Sequence, residues 1–191
     1  MAPSVRVLGL GNVLMSDDAL GPWVIHALEA TYVFPEGVEL VEIGTPGLDL
    51  VPYVAGPGGV LLVDTVKSAG TPGELRFYDQ EQLLKLPPQP RLSPHDPGLT
   101  EALLAVTLAD APPSFVKLVG VIPDKVTMGV ILSPAIRAAV PRVVRAVVDE
   151  LARLGFVGVP RRAPDLSLPW WERGAPTSKP TEAVAIETQA G

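Results

Sequence analysis

The feature that most narrows the fold is an alternation of short apolar runs with segments whose apolar residues recur at helical spacing. Val5 to Leu10 is a β-branched apolar run entering Gly9-Leu10-Gly11-Asn12, which reads as a buried strand ending in a tight loop. From Leu20 to Tyr32 the positions Leu20, Val24, Ala27 and Leu28 share one helical face, and Pro22 suits a first turn that needs no N–H. The pattern recurs with a strand over Val38–Ile43, a short helix over Gly47–Val54 and an apolar strand from Gly59 that ends in Asp64. Glu74 to Tyr78 predicts a further strand at an edge, Gly98 to Leu108 a helix, and Phe115 to Ile122 another buried strand. Ser133-Pro134 opens the last helix, with Ser as N-cap, Pro in the first turn and Gly155 as the stop. Pro141 lies inside that helix and is expected to bend it.

Strands alternating with helices imply an α/β three-layer sandwich: a twisted, mostly parallel sheet with helices on both faces. At 191 residues, 47% hydrophobic and 19% charged, the chain suits one core that offsets the entropy of ordering its backbone. The twelve residues from Leu86 to Pro97 hold five prolines, which excludes a regular helix or a central strand and predicts an ordered surface loop. From Pro160 the composition shifts to Arg, Pro, Ser, Thr and Glu with little periodicity. The expected organisation is therefore an α/β domain over 1–159 and a Pro-rich flexible tail over 160–191. Trp170-Trp171 interrupts that tail, either packing back on the domain or docking on a partner.

Composition also removes function classes. With no cysteine, disulfides, thiolate metal sites and thiol nucleophiles are excluded together. A net charge of -6 disfavours nucleic acid, whose binding needs clustered cations to displace counterions. No apolar run approaches the ~20 residues that span a bilayer, and the amino terminus lacks a secretory pattern. A cytoplasmic protein without a membrane partner is expected. Gly-x-Ser-x-Gly and His-Glu-x-x-His, the usual serine hydrolase and zinc protease signatures, are both missing.

In open α/β sheets, ligands bind beyond the carboxyl ends of the strands, where loops from different strands converge. That edge should receive Asp17 and Asp18 from the first loop, Asp64 from the third strand and His95 from the proline-rich loop. Two carboxylates and an imidazole suit a divalent transition ion such as Zn²⁺ or Ni²⁺, whereas Ca²⁺ prefers more oxygens. Bland roles compete: Asp17 or Asp18 as a helix cap, Asp64 bracing a turn, His95 as a solvated loop residue. The other histidine, His26, falls within the first helix, where it reads as a surface or boundary residue. Gly9-Leu-Gly11 also hints at a dinucleotide site with Glu42 as its acid, but the third glycine of that fingerprint falls on Leu14.

Taken together, Gly9-Leu-Gly11-Asn12-Val-Leu14-Met-Ser-Asp17-Asp18-Ala-Leu-Gly21 resembles the amino-terminal signature of the hydrogenase maturation endopeptidases. Gly44-Thr45-Pro-Gly47, Leu62-Val-Asp64, Ser93-Pro-His95 and Val119-Gly-Val-Ile-Pro123 resemble that family in the same order, covering about residues 5 to 159. Ala19 stands where many members have Gly, and Asp18 where some have Glu, a carboxylate one methylene longer. The resemblance implies metal ligands at Asp18, Asp64 and His95, which are also the catalytic residues. It implies as partner the precursor of a nickel-iron hydrogenase large subunit, shortened by a carboxy-terminal peptide, with nickel supplied by the precursor as the divalent metal and recognition signal. A monomer is expected, Asp17 is either a base or a loop brace, and nothing is implied for the tail. Two other classes remain at this point: a non-catalytic metal-handling partner of a nickel-loaded protein, and a nucleotide-binding oxidoreductase.

Overall fold

The computed structural model describes residues 4–85, 98–165 and 167–173. These form, in chain order, β1 (Val5–Leu10), α1 (Leu20–Thr31), β2 (Tyr32–Val33), β3 (Val38–Gly44), α2 (Val51–Val54), β4 (Gly59–Thr65), β5 (Leu75–Asp79), α3 (Gln80–Lys85), α4 (Gly98–Leu108), β6 (Phe115–Val121), α5 (Pro134–Arg153) and β7 (Val159–Pro160). Five strands make one sheet in the order β3-β1-β4-β6-β5, parallel except for β5, which runs antiparallel on β6. β2 and β7 form a separate antiparallel pair that the sequence patterning did not suggest.

Alternation along the strands sorts their side chains onto two faces. Val5, Val7, Leu61, Val63, Val119 and Val121 pack with α1 and α5 in one core. Leu8, Val60, Leu62, Val116 and Leu118 pack with Leu50, Val54, Leu83, Leu103 and Val106 in the other. The fold is thus the expected three-layer sandwich, and its central strands are apolar on both sides because both sides are covered. α5 alone buries Ile136, Val140, Val143, Val147 and Leu151, each contributing roughly 1.5–3 kcal/mol. Its start matches expectation: the Ser133 hydroxyl accepts from Ile136 N–H at 3.4 Å, and Pro134 occupies the first turn. The helix runs through Pro141 to Arg153, and Gly155, at φ +91°, turns the chain away.

β1 lies between β3 and β4, so the chain leaves it on the α1 face, returns as β3, and crosses by α2 on the opposite face to β4. The carboxyl ends of β1 and β4 therefore sit side by side where the connections diverge, a topological switch point. α1 reaches this point by unusually close approach. A Cβ on Gly21 would meet the Leu10 carbonyl oxygen at 2.1 Å, and one on Gly9 would meet Ile25 Cγ1 at 2.5 Å. These two glycines perform the strand–helix contact that a dinucleotide fold assigns to its third fingerprint glycine, while Leu14 stays out in the loop.

The loop after β1 is locked by Asp17, which is fully buried. Its Oδ2 accepts from Asp124 N–H and Lys125 N–H at 2.9 Å each and from the Ser133 hydroxyl at 2.9 Å. Its Oδ1 accepts from Ser133 N–H at 2.6 Å. One side chain thereby joins the β1 loop, the loop after β6 and the first turn of α5.

In the stretch from Pro160, read from its composition as a flexible tail, Arg161, Asp165, Ser167, Trp171 and Glu172 contact α1. Arg161 N–H and Asp165 N–H donate to the carbonyls of Thr31 and Ala30, and Arg161 Nε donates to that of Glu29. Trp171 is buried edge-on against Trp23 and His26, so this ring folds back on the domain, whereas Trp170 is largely exposed. Glu172, also buried, accepts from Trp23 Nε1 at 2.9 Å and from Arg137, whose guanidinium stacks 5.0 Å from the centre of the Trp23 ring. Composition missed this because a few large rings can dock a polar segment without any periodic pattern.

Three outcomes follow from these contacts. Asp17→Ala strands several buried donors and should cost roughly 3–5 kcal/mol, read as a lower denaturant midpoint at unchanged slope. Glu172→Ala should cost about 1–3 kcal/mol, with Trp23 fluorescence responding as the clasp opens. Glu150 ties α5 to β6: burial pushes its carboxyl up, but the Lys117 ammonium and the Arg153 guanidinium overcome this and hold it below the ordinary 4.5. A depressed carboxylate contributes stability above its unfolded value and loses it as pH falls through the folded one. Wild type should therefore exceed Glu150→Gln in stability at pH 7, and the gap should close below about pH 4.

Candidate functional site

The switch point between β1 and β4 gathers the chain's strand-end acids. Asp18 follows β1 in a short 3-10 turn over Ser16–Ala19, and Asp64 is the penultimate residue of β4. Asp18 is 7% exposed and Asp64 half-buried, so both carboxylates sit in a low wall rather than in open solvent. Asp18 Oδ2 accepts from Asn12 N–H at 2.8 Å, and its Oδ1 lies 3.4 Å from the donating Thr65 hydroxyl. Thr65 N–H donates in turn to Asp64 Oδ1 at 2.7 Å. Thr65 thus touches both acids, one through its hydroxyl and one through its backbone.

This arrangement answers the sequence expectations unevenly. Asp18 and Asp64 come to one edge and share a neighbour. His95 lies outside the described residues, in the proline-rich segment between Leu86 and Pro97. Asp17, weighed as a base, faces inward and accepts four hydrogen bonds, about as many as a carboxylate's lone pairs provide, so it is a brace. His26 is 3.0 Å from the Ser167 carbonyl and stacks edge-on with Trp23 and Trp171, away from the acids. Thr65, Asn12 and Ser133 were missed as positioning residues. Thr65 carried one usable signal, a hydroxyl immediately after a strand-end acid.

The Asp18 and Asp64 carboxylates are hard oxygen donors, and among the described residues no group of three or more His, Asp or Glu side chains could hold a metal ion. A separate groove of about 500 Å³ between β5 and α5, lined among others by Phe77, Lys117, Arg142 and Arg145, includes none of these acids.

Comparison with known proteins identifies the family. A hydrogenase maturation protease family model matches residues 22–150. The chain is 31% identical over 160 residues to the hydrogenase 2 maturation protease of Escherichia coli, covering 83% of this chain and 97% of that one. It is 34% identical over 160 residues to the hydrogenase expression/formation protein HoxM of Cupriavidus necator, covering 83% and 79%. The solved structure of the hydrogenase maturating endopeptidase HybD from Escherichia coli superposes with a TM-score of 0.76 at 30% identity, covering 83% of this chain and 98% of that one. With two thirds of its length matched by the family model and its fold shared with a solved member, the chain belongs to the hydrogenase maturation protease family.

Proposed function

We propose that this chain is a peptidase that removes a short carboxy-terminal peptide from the precursor of a nickel-iron hydrogenase large subunit, with nickel carried by that precursor as the recognition signal. The observation that carries this reading is the meeting of Asp18 and Asp64 at Thr65, on the sheet edge where the β1 and β4 loops part. Among the described residues no helix is long and apolar enough to cross a membrane. The protein acts as a monomer in the cytoplasm.

Asp18 and Asp64, with His95 from the proline-rich segment, hold the precursor by completing the coordination of its metal. Asn12 N–H and Thr65 fix the two carboxylates beforehand, so little side-chain freedom is lost when substrate arrives. A divalent ion at this position polarises an adjacent carbonyl or lowers the pKa of a nearby water. Hydrolysis joins the water oxygen to the carbonyl carbon, breaks the C–N bond and delivers a proton to the leaving amine. Asp17 takes no part in that transfer, because all of its capacity is used inside the protein.

Incubation with nickel-loaded and nickel-free precursor, followed by mass spectrometry, tests the reading. Wild type should shorten only the nickel-loaded form. Asp18→Ala, Asp64→Ala and His95→Ala should cut the rate by at least about 100-fold, with Asp18→Asn and Asp64→Asn as variants that keep the local hydrogen bonds and the fold. Stoichiometric binding with no mass change would replace the peptidase with a metal-handling partner. Full processing by the His95 variant would remove that residue from the set.

A further inference from the structure

Beside the acids stands a lip made of two loops that are tied together along their backbones. Gly129 N–H donates to the Leu14 carbonyl at 2.9 Å, and Ser16 N–H donates to the Gly129 carbonyl at 2.6 Å. The Ser16 hydroxyl adds a bond to the Thr127 carbonyl at 2.5 Å. The resulting isolated parallel bridge pairs Met15 with Gly129, so the backbones of Leu14 and Met128 are in register. Asp17, directly beneath, locks both loops through Asp124, Lys125 and Ser133.

On this fixed backbone Leu14 is 57% exposed and Met128 90% exposed, with Ile131 partly exposed nearby. Single exposed apolar residues are ordinary, but adjacent ones on a braced loop beside a polar crevice mark a contact surface. The lip is continuous with the acids: Asn12, whose N–H holds Asp18, also accepts from Leu14 N–H at 2.9 Å through its side chain. Through Asn12 the lip borders the place where a chain would present a cation to Asp18 and Asp64. A leucine and a methionine offer no charge or strong hydrogen-bonding group, so they discriminate by apolar fit, and the unbranched thioether adapts to the shape it meets.

We propose that Leu14 and Met128 form an apolar clamp that selects the precursor by gripping apolar side chains next to its scissile bond. The clamp rests on the peptidase reading above. It determines specificity through recruitment and leaves the chemical step to the acids.

Full-length Leu14→Ser, Met128→Ser and the double variant, assayed with nickel-loaded precursor, separate kcat from KM. Both side chains project into solvent, so the thermal midpoint should stay within a degree or two of wild type, on the order of a surface substitution. KM should rise several-fold in each single variant and about tenfold or more in the double, with kcat within about twofold. Leu14→Met should keep KM near the wild-type value. An unchanged KM in the double variant, or a loss confined to kcat, would overturn the clamp while leaving the peptidase standing. Failure of wild type to shorten the precursor would overturn both.

Discussion

A buried carboxylate organises this molecule's working edge. Asp17 has no access to water, and an ion so placed is tolerable only when its lone pairs are filled. Two backbone N–H groups from one loop, and an N–H and a hydroxyl from the cap of α5, fill them. Because those donors belong to segments more than a hundred residues away in sequence, the loop after β1 cannot move without the loop after β6 and the head of α5. Asp18 inherits this rigidity as the next residue. Adjacent acids thus divide their duties: one faces the interior and builds, the other faces the crevice.

The same edge owes its location to sheet topology. The crossover from β1 to β3 runs on one sheet face and that from β3 to β4 on the other, so the carboxyl ends of β1 and β4 stand side by side, with Asp18 and Asp64 both bonded to Thr65. Close packing sets how near α1 can come: Gly9 and Gly21 let the helix touch the strand, drawing the first turn and its acids down onto the sheet. Thr65 then links the two strand ends through one hydroxyl and one amide. Small polar residues rather than large ones hold the site, since each spans a single hydrogen bond in a crowded place.

A second organising unit lies behind the site, on the outer surface of α1. Trp23, Trp171 and His26 meet edge to edge, and Glu172 gathers the Trp23 indole N–H and the Arg137 guanidinium at the head of α5. The clasp joins the post-β7 segment to both helices that cover one sheet face. Trp171 and Glu172 are consequently part of the packed body, although the composition around them resembles that of a solvated tail.

What the amino-acid order determined by itself was the alternation of elements and the layers they make. Apolar runs such as Gly59–Asp64 and the helical stripe of α5 carry their own periodicity, and burial follows that period wherever the element lies. Caps and stops were legible for the same reason: Ser133, Pro134 and Gly155 act on their immediate neighbours. The acids at 18 and 64 were visible as strand-end residues within a family-like motif, but not the threonine between them. Only the tertiary structure decided that Asp17 points inward, that the loop at Met15 bridges to Gly129, and that Trp171 docks on Trp23. Each depends on contacts between segments far apart in the chain, whose partners no local pattern names. Local periodicity settles which face of an element is apolar, whereas the meeting of distant loops is settled by how the whole sheet and its helices pack.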